Sequence, residues 1–419
     1  MRILTPLREP PLALLWGGLS LSAIGDQLYA VALTWIAVGV LGAAAGYLAA
    51  VGSACVLGTA LVAGRWADGW EQRTTMIAAD FARAAVLIFV VLDWSLRGRT
   101  TAAALVLAAI VLAVGQAVFR PALQSVLPGL VRDAGHLPAA NALLDSTDRI
   151  ARLLGPGLVA MFAAWVPVKH FLSLDAASFG LSAAALLLIG RLRPLPGPRR
   201  AEPPRDFIAS ALHGFRAVAG HPVLRVNLQI TGVANGLWYA VFFLGLPLAI
   251  ARHAPGSAGL GAYGLVISAY GCTNLASTLV VGSRKMPGNP GRMIFAGSVV
   301  FGIGLMLMAL AAAAPLPPAM AITAFAVSAA LAAIGGPMKD VPIAVLRQTE
   351  LPHADIPAAM RAYLVAANGG LLVAMVIAPS LYAAFPVAGI IACCGAITLA
   401  IGIAGMIRFA APRVLADRS

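Results

Sequence analysis

Residues 116–157 read QAVFRPALQSVLPGLVRDAGHLPAANALLDSTDRIARLLGPG. Two long apolar segments flank a short polar turn at Arg132–Gly135, and this pattern predicts a pair of antiparallel helices. Charged residues nevertheless lie inside the apolar segments, at Arg120 before the turn and, after it, at Asp145, Asp148, Arg149 and Arg152. The four that follow the turn are spaced i, i+3, i+4 and i+7, which places them on one face of a helix. Because Arg120 and Asp145 are about equally far from the middle of the turn, we expect them to lie at similar depth.

The chain as a whole is far more apolar than a soluble protein. Of its 419 residues, 60% are apolar and 11% are charged, and the mean hydropathy is +0.90. Soluble domains carry about 25% charged residues, so the composition predicts a protein that crosses the membrane many times. The long runs of Ala, Leu, Val and Gly lack the alternating pattern of a membrane barrel, which leaves a bundle of helices.

A helix that crosses a bilayer core of ~30 Å needs ~20 mostly apolar residues. Twelve such spans are predicted, at residues 12–40, 43–64, 75–95, 102–127, 139–165, 171–190, 223–251, 257–282, 292–313, 319–346, 357–383 and 386–408. The predicted domains are a six-helix bundle over 1–190, a linker over 191–221, and a second six-helix bundle with a short tail over 222–419. The linker is first rich in Pro and Arg and then amphipathic from Asp206 to Val218, so we expect this helix to lie on the inner membrane surface.

The net charge of +13 is explained by the orientation of the spans in the membrane. Most Arg and Lys residues fall in every second connection or in the tails, whereas the alternate connections hold only Arg97, Arg99, Lys169 and Arg252. By the positive-inside rule, both termini are predicted to be cytoplasmic. The first apolar segment lacks a cleavage pattern, so we expect it to remain as a span. This explanation makes nucleic-acid binding unnecessary.

The two halves of the chain resemble each other. Arg120 aligns with Lys339 at an offset of 219 residues, and at the same offset two short segments, 126–127 and 138–140, match 345–346 and 357–359. Since both halves begin on the cytoplasmic side, the repeat is predicted to be parallel, about an axis along the membrane normal. The second hairpin again places an acid and a base at similar depth, here with Asp340 before the turn and Arg361 after it.

Twelve spans in two sets of six, with a long central loop, resemble the major facilitator superfamily. Between spans 2 and 3, residues 64–73 read GRWADGWEQR and resemble the loop motif of that superfamily, G-x-x-x-D-R-x-G-R-R/K. Gly64, Asp68 and Arg73 match this motif, whereas Gly69, Glu71 and Gln72 depart from it. Further segments are similar to the bacterial branch of the enterobactin exporter and the macrolide efflux pumps: GDQ at 25–27, IAADFAR at 77–83, FRPAL at 119–123, AANAL at 139–143 and LDAASF at 174–179. Residues 152–157, RLLGPG, resemble the Gly-Pro motif of exporters in the superfamily.

The resemblance implies a secondary transporter of the bacterial inner membrane, which alternates between inward-open and outward-open states. It implies export of an amphipathic small molecule, such as a drug or a siderophore, driven by protons. The implied partners are this substrate, protons and membrane lipid, and we expect a monomer. A nutrient uptake carrier and a lipid or lysophospholipid flippase are alternatives with the same fold, and a membrane sensor that transports nothing is another.

Asp26 is the predicted proton carrier. It lies roughly 14 residues into span 1, hence ~20 Å along the helix and near the middle of the bilayer. A charge there costs at least ~2.5–3.5 kcal/mol, so acids at this depth usually face a cavity and have a functional role. The alternative is a structural carboxyl group that binds polar groups of a neighbouring helix.

The other intramembrane charges are expected to gate the transporter or to line its path. Arg149, Arg152 and Asp148 lie deeper and are candidates for the path of substrate and protons. The pairs Arg120–Asp145 and Asp340–Arg361 are candidates for gates, although pairing alone would explain why the membrane tolerates them. The resemblance implies that Asp68 and Arg73 hold the cytoplasmic side closed, through contacts between span ends. Asp80 and Arg83, one turn apart in span 3, are predicted to form a pair within their helix.

The segment Gly155-Pro156-Gly157 is a candidate hinge in span 5, because Pro removes a backbone hydrogen bond and Gly permits close packing. The four cysteines fall within spans and are expected to act as small apolar residues. The sequence contains no G-x-x-x-x-G-K-[ST] motif, no metal-ligand cluster and no nucleophile–base arrangement. We therefore expect neither an enzyme nor a cofactor.

Overall fold

The computed structural model describes residues 7–66, 71–131, 136–192 and 207–410, and the regular structure in these ranges is helical. The helices are α1 Pro10–Leu41, α2 Gly46–Trp66, α3 Gln72–Arg97, α4 Ala102–Leu130, α5 Leu137–Phe162, α6 Lys169–Leu192, α7 Phe207–Ala219, α8 Pro222–Tyr239, α9 Leu246–His253, α10 Gly256–Ser283, α11 Pro290–Ala313, α12 Pro318–Glu350, α13 Ile356–Ala384 and α14 Val387–Arg408.

Twelve membrane spans follow from these helices, as the hydropathy predicts. In the described ranges, ten apolar stretches are long enough to cross a membrane, and one of them, Pro10–Val62, contains both α1 and α2. The helix α5 is not among the ten because its charged residues lower its hydropathy. The helices α8 and α9 belong to one stretch, Pro222–His253, and α7 is a short connecting helix. The chain divides into two compact units, Met1–Ser210 and Ala211–Ser419.

The seventh span is interrupted, although the sequence predicts one regular helix over 223–251. A π-helical turn at Ala240–Gly245 separates α8 from α9. Two tyrosines donate hydrogen bonds to its carbonyl groups: the Tyr382 hydroxyl lies 2.9 Å from the Ala240 oxygen, and the Tyr263 hydroxyl lies 3.0 Å from the Phe242 oxygen. Hydroxyl donors from other helices satisfy acceptors that the widened turn frees, and no local pattern in 223–251 predicts such partners.

Local capping explains the tight connection between α3 and α4. Gly98 has a φ of +74°, a left-handed conformation that favours glycine and ends α3 directly after Arg97. Thr101 then begins α4, because its hydroxyl oxygen accepts a hydrogen bond from the Ala104 amide at 3.2 Å. Asp93, near the end of α3, accepts from the Thr101 amide at 3.3 Å and pairs with Arg97 at 2.7 Å.

Within each unit, small residues let neighbouring helices approach closely, as in other membrane bundles. In the second unit a Cβ on Gly370 would overlap the backbone of Gly232, so α13 and α8 meet at two glycines. In the same way α11 and α12 meet at Gly297 and Gly335. The apolar core of the first unit lies between α1, α3, α4, α5 and α6 and includes Leu12, Leu15, Met76, Phe119, Val126, Leu130, Leu186 and Ile189.

The amphipathic helix α7 packs on the start of α13 through its small residues. His213 Nε2 lies 2.8 Å from Asp355 Oδ1, and a Cβ on Gly214 would overlap the Ala358 carbonyl. The larger apolar side chains Ile208 and Leu212 are exposed. This arrangement fits the predicted position on the inner membrane surface, which remains a prediction.

The contact between Gly370 and Gly232 gives a test of the packing. Gly370→Ala is expected to reduce the free energy of unfolding by ~1–3 kcal/mol, because the added methyl group separates α8 from α13. Gly369→Ala is the matched control, since no atom lies within 4 Å of a Cβ placed there. Thermal unfolding of both variants in detergent checks this expectation. Equal melting temperatures for the two variants would contradict the close contact.

Candidate functional site

The contact between α1 and α6 places two carboxyl groups near each other inside the first unit. A Cβ on Gly25 would lie only 2.5 Å from both Asp175 Oδ1 and Ser178 Oγ of α6. Asp26, the predicted proton carrier, directly follows Gly25 and is partly buried. The charges of Asp26 and Asp175 interact electrostatically. The glycine therefore allows α1 to bring Asp26 close to the second acid.

Asp175 is fully buried, with 0% of its surface exposed. The Ser178 hydroxyl lies 3.1 Å from Asp175 Oδ1 and 2.8 Å from the Asp175 carbonyl oxygen. Oδ2 is buried and has no hydrogen-bond partner among the described residues. Sequence reasoning did not single out Asp175 as a site residue. The signal in the sequence was that Asp175 is the one acidic residue of the predicted span 171–190, which is otherwise apolar.

A buried ion pair lies on α3 beside these acids. Asp80 and Arg83 form the predicted salt bridge one turn apart, and they are only 0% and 2% exposed. Arg83 Nη1 donates to Gln116 Oε1 of α4 at 3.0 Å. The Arg83 guanidinium also lies over two rings, 4.8 Å from the centre of Phe119 and 4.2 Å from that of Phe179. The sequence predicts the pair, but not that α4 and α6 bury it.

These groups form one electrostatic cluster, which consists of Asp26, Asp80, Arg83 and Asp175. Asp26 interacts with the charges of Arg83 and Asp80, and Asp175 interacts with Asp26, Arg83 and Asp80. The cluster therefore contains three carboxyl groups and one guanidinium. If all were ionised, it would carry two uncompensated negative charges, which a low-dielectric interior disfavours. Such a cluster is chemically suited to take up protons or to attract a cation.

Arg120 pairs with Asp148, one turn deeper in α5 than Asp145, the acid that the sequence places at a depth similar to that of Arg120. Arg120 Nη2 lies 2.9 Å from Asp148 Oδ2. Arg120 is 10 residues before the end of α4 at 130, and Asp148 is 11 residues after the start of α5 at 137. Asp145 is only 8 residues after that start, hence ~4–5 Å nearer the membrane surface than Asp148. Asp145 and Asp148 are one turn apart on the same face of α5, so a rough estimate of depth does not distinguish them as partners of Arg120. The turn itself, 132–135, lies outside the described residues.

The remaining charges of α5 are exposed. Asp145, Arg149 and Arg152 each have exposed side chains, whereas Asp148 is half-buried. Both members of the Arg120–Asp148 pair also act electrostatically on Asp26. The structure thus relates Asp148 and Arg120 to the cluster. The roles predicted for Arg149 and Arg152 in the path, and for Asp145 in a gate, remain predictions.

Arg73 joins the start of α3 to the end of α6. Its Nε donates to the Leu186 carbonyl at 3.0 Å and its Nη2 donates to the Leu187 carbonyl at 3.1 Å. A Cβ on Gly190 would overlap the guanidinium, so this glycine leaves room for it. A positive charge at a helix C-terminus is favourable. Arg73 therefore links two span ends, as the loop motif implies, while Asp68 lies outside the described residues.

The Gly-Pro segment lies within an unbroken α5, with Pro156 inside the helix. A Cβ on Gly155 would overlap the Gln27 side chain, so this glycine permits the close approach of α1 and α5. Trp16 Nε1 supports the same contact by donating to Thr147 Oγ1 at 2.8 Å. The structure gives Gly155 a packing role. A hinge at Gly155, Pro156 and Gly157 remains a prediction.

In the second unit, Asp340 is largely exposed and lies 3.5 Å from Lys339 Nζ. Arg361 is partly buried on α13. A gate built from Asp340 and Arg361 remains a prediction.

The most distinctive group of side chains in the second unit is aromatic. Trp238 stacks on Phe242 with ring centres 5.3 Å apart, and its Nε1 donates to the Tyr270 hydroxyl at 3.1 Å. Phe242 also contacts Tyr270, at 4.8 Å between ring centres. These residues surround the π-helical turn, and Trp238 and Tyr270 are half-buried. The sequence left Trp238 open between a membrane anchor and a cavity wall, and the structure places it in this aromatic cluster.

Metal ligation has no support in the ranges that the structure describes, where no group of three or more His, Cys, Asp or Glu could hold an ion. All four cysteines are free, and Cys394 is buried.

Comparison with known proteins agrees with this picture. A family model for the Major Facilitator Superfamily matches residues 15–315. The multidrug efflux pump Tap of Mycobacterium tuberculosis (strain ATCC 25618 / H37Rv) is 27% identical over 326 residues, which cover 76% of this chain and 75% of the pump. The multidrug efflux pump Tap of Mycobacterium bovis (strain BCG / Pasteur 1173P2) matches to the same extent.

Solved structures show the same fold. A POT family transporter in complex with a thioalcohol-conjugated peptide superposes with a TM-score of 0.70 at 12% identity, covering 94% of this chain and 95% of that chain. An auto-inhibited POT family peptide transporter gives a TM-score of 0.69 at 12% identity, with 98% of each chain covered. At this identity the likeness concerns the fold alone. It confirms an all-α membrane protein with twelve helices in two six-helix bundles.

The buried pair on α3 yields a prediction about stability. Arg83→Met is expected to lower the free energy of unfolding by ~3–5 kcal/mol, because it leaves Asp80 buried without its counter-ion. Asp80→Asn in the same chain removes the uncompensated charge and should restore most of the loss. Unfolding in detergent with increasing denaturant measures both variants. A double variant as unstable as Arg83→Met would show that Arg83 stabilises mainly through Phe119, Phe179 and Gln116.

Proposed function

Because the chain belongs to the Major Facilitator Superfamily, we propose that it is a proton-coupled exporter of amphipathic small molecules, such as drugs or siderophores. It is a multi-pass membrane transporter and not an enzyme. In the proposal it acts as a monomer in the bacterial inner membrane, with both termini in the cytoplasm, and moves its substrate by alternating access.

The observation that carries the proposal is the position of Asp26. Its carboxyl group is partly buried in the apolar helix α1. It interacts electrostatically with three further acids, Asp80, Asp148 and Asp175, and with the guanidinium groups of Arg83 and Arg120. A carboxyl group in such surroundings can gain and lose a proton as the surroundings change. Asp26 is the proposed residue through which proton entry drives export.

Two observations support export of amphipathic compounds. The relatives that match over three quarters of their length are called multidrug efflux pumps. In addition, the half-buried rings of Trp238 and Tyr270 offer apolar faces with polar edges, which suit flat amphipathic compounds. We assign these rings to contact with the apolar part of the substrate.

The charged residues outside the cluster have proposed conformational roles. The Arg120–Asp148 salt bridge joins α4 to α5. Arg73 joins the start of α3 to the end of α6. We propose that breaking either contact changes how the two joined spans move relative to each other. Asp68, Asp145, Asp340 and Arg361 are proposed to assist in gating. Arg149 and Arg152 are exposed on α5, and we propose that they line the path together with Asp148.

The direct test is proton movement in proteoliposomes that contain the full chain. An imposed pH gradient is applied, and dyes, antibiotics and siderophores are added in turn while internal pH and substrate are followed. We expect at least one amphipathic compound to trigger proton flux in the wild type. Asp26→Asn should reduce this coupled flux at least about tenfold, equivalent to ~1.4 kcal/mol. Asn has nearly the same shape as Asp, but its amide neither takes up nor releases a proton in the experimental pH range.

Asp93→Asn is the matched control, because Asp93 is also a buried acid of a membrane helix but pairs with Arg97 and Thr101. It should leave coupled flux unchanged. If coupled flux persists in Asp26→Asn, residues other than Asp26 must carry the driving proton. Substrate movement without proton flux in the wild type would favour a facilitator or a lipid flippase and would contradict the proposed mechanism.

The gate between α4 and α5 gives a separate prediction. Arg120→Asp should lower the export rate severalfold, because it places two carboxylates opposite each other where a pair stood. The swapped variant Arg120→Asp/Asp148→Arg should recover much of the rate. Export of the substrate found above is measured for both. The proposed gate is contradicted if the swapped variant is no faster than the single variant.

A further inference from the structure

Asp175 differs from a structural acid in the hydrogen bonding of its two carboxyl oxygens. Asp175 is 0% exposed, and its Oδ2 has no hydrogen-bond partner among the described residues. A buried carboxylate oxygen without a partner is costly, whereas an added proton removes the charge. In the part of the chain that the structure describes, one side chain binds its other oxygen, that of Ser178, one turn along the same helix.

The same chain shows how a structural acid is satisfied. Asp93 is similarly buried, at 9% exposed, yet its oxygens bind Arg97 Nε at 2.7 Å, the Thr101 amide at 3.3 Å and the Thr101 hydroxyl at 3.2 Å. Asp93 therefore has a counter-ion and a capping role. Asp175 has neither.

Every titratable or charged group that acts on Asp175 comes from the two helices packed against α6. Asp26 and Tyr29 come from α1, and Asp80 and Arg83 come from α3. Tyr29, one turn after Asp26, interacts electrostatically with both Asp26 and Asp175. Arg83, the only cation of the group, already pairs with Asp80. Asp26 and Asp175 therefore have no ion-pair partner among the described residues, and the charge of each disfavours ionisation of the other.

From this geometry we propose that Asp175 is a second proton-carrying residue, which acts together with Asp26. Uptake forms an O–H bond at Oδ2 and converts the carboxylate to the neutral acid, and release breaks that bond and restores the carboxylate. Because the two carboxyl groups interact, ionisation of one opposes ionisation of the other, so their protons come off in coupled steps. The inference rests on the proposed function, in which Asp26 carries the driving proton.

Infrared difference spectroscopy tests the protonation of Asp175 without any substrate. The full chain in proteoliposomes is taken through steps of pH, and the carbonyl stretch of protonated carboxyl groups is followed. The wild type is compared with Asp175→Asn, Asp26→Asn and Asp93→Asn. Asn at 175 keeps Oδ1 as the acceptor for Ser178, so this variant is expected to fold, which its melting temperature checks.

We expect acidification of the wild type to produce a carbonyl band that is missing in Asp175→Asn and present in Asp93→Asn. In Asp26→Asn the same band should remain but titrate at a different pH, because a neighbouring charge is gone. An unchanged spectrum in Asp175→Asn would overturn the proposal. So would an Asp175 band that stays constant across pH, since that describes a permanently protonated structural group.

A binding measurement tests whether this proton is used in transport. The change in log affinity with pH equals the number of protons exchanged on binding. With ethidium as an amphipathic cationic probe, we expect the slope for Asp175→Asn to be smaller than that of the wild type by about one proton. An equal slope would overturn the role of Asp175 in coupling. If the wild type exchanges no protons with ethidium or any compound of the panel, the proposed function fails, while the infrared result still decides whether Asp175 titrates.

Discussion

An ionised carboxyl group inside a membrane helix must find a counter-charge, a proton or water, and this constraint organises the first unit. Arg83 supplies the counter-charge once, to Asp80, and it is held in place by Gln116 and two aromatic rings. Asp26 and Asp175 receive no such partner among the ion pairs of the described residues. A fold that only had to be stable would gain by replacing both acids with apolar residues. Their presence is therefore best explained by the proton chemistry that we propose.

Close helix packing makes this arrangement possible. Gly25 brings α1 against Asp175 and Ser178, and Gly155 brings α5 against Gln27 next to Asp26. Gly115 similarly leaves room for the Arg83 side chain, since a Cβ there would lie 2.9 Å from its Cγ. A methyl group at any of these positions would displace a member of the cluster or its neighbour. The small residues thus determine which charges interact, in addition to how tightly the helices pack.

Much of this fold is predictable from the sequence, because span length and hydropathy follow directly from the thickness of the membrane. The twelve spans, the position of Asp26 in the first span and the Asp80–Arg83 pair all depend on local spacing along one helix. Contacts between helices are harder to predict from the sequence, because they depend on residues far apart along the chain. Arg120 pairs with Asp148 and not with Asp145, because the two acids are one turn apart on one face of α5 and only the packing of α4 against α5 selects between them. The burial of Asp175 depends on a glycine of another helix, 150 positions earlier, and the π-helical turn depends on Tyr263 and Tyr382.

The two units share a scaffold but differ in the chemistry of their interiors. In the repeat, α8, α11 and α14 are the counterparts of α1, α3 and α6, and these three helices contain no Asp or Glu. Where the first unit has its cluster of acids, the second has Asn227, bound to the Tyr363 hydroxyl at 3.3 Å, and the aromatic side chains around the π-helical turn. A parallel repeat whose halves performed equal tasks would carry similar charges in both. The asymmetry instead favours a division in which the first unit carries protons and the second contributes apolar contacts to the substrate, so that driving force and affinity depend on different residues.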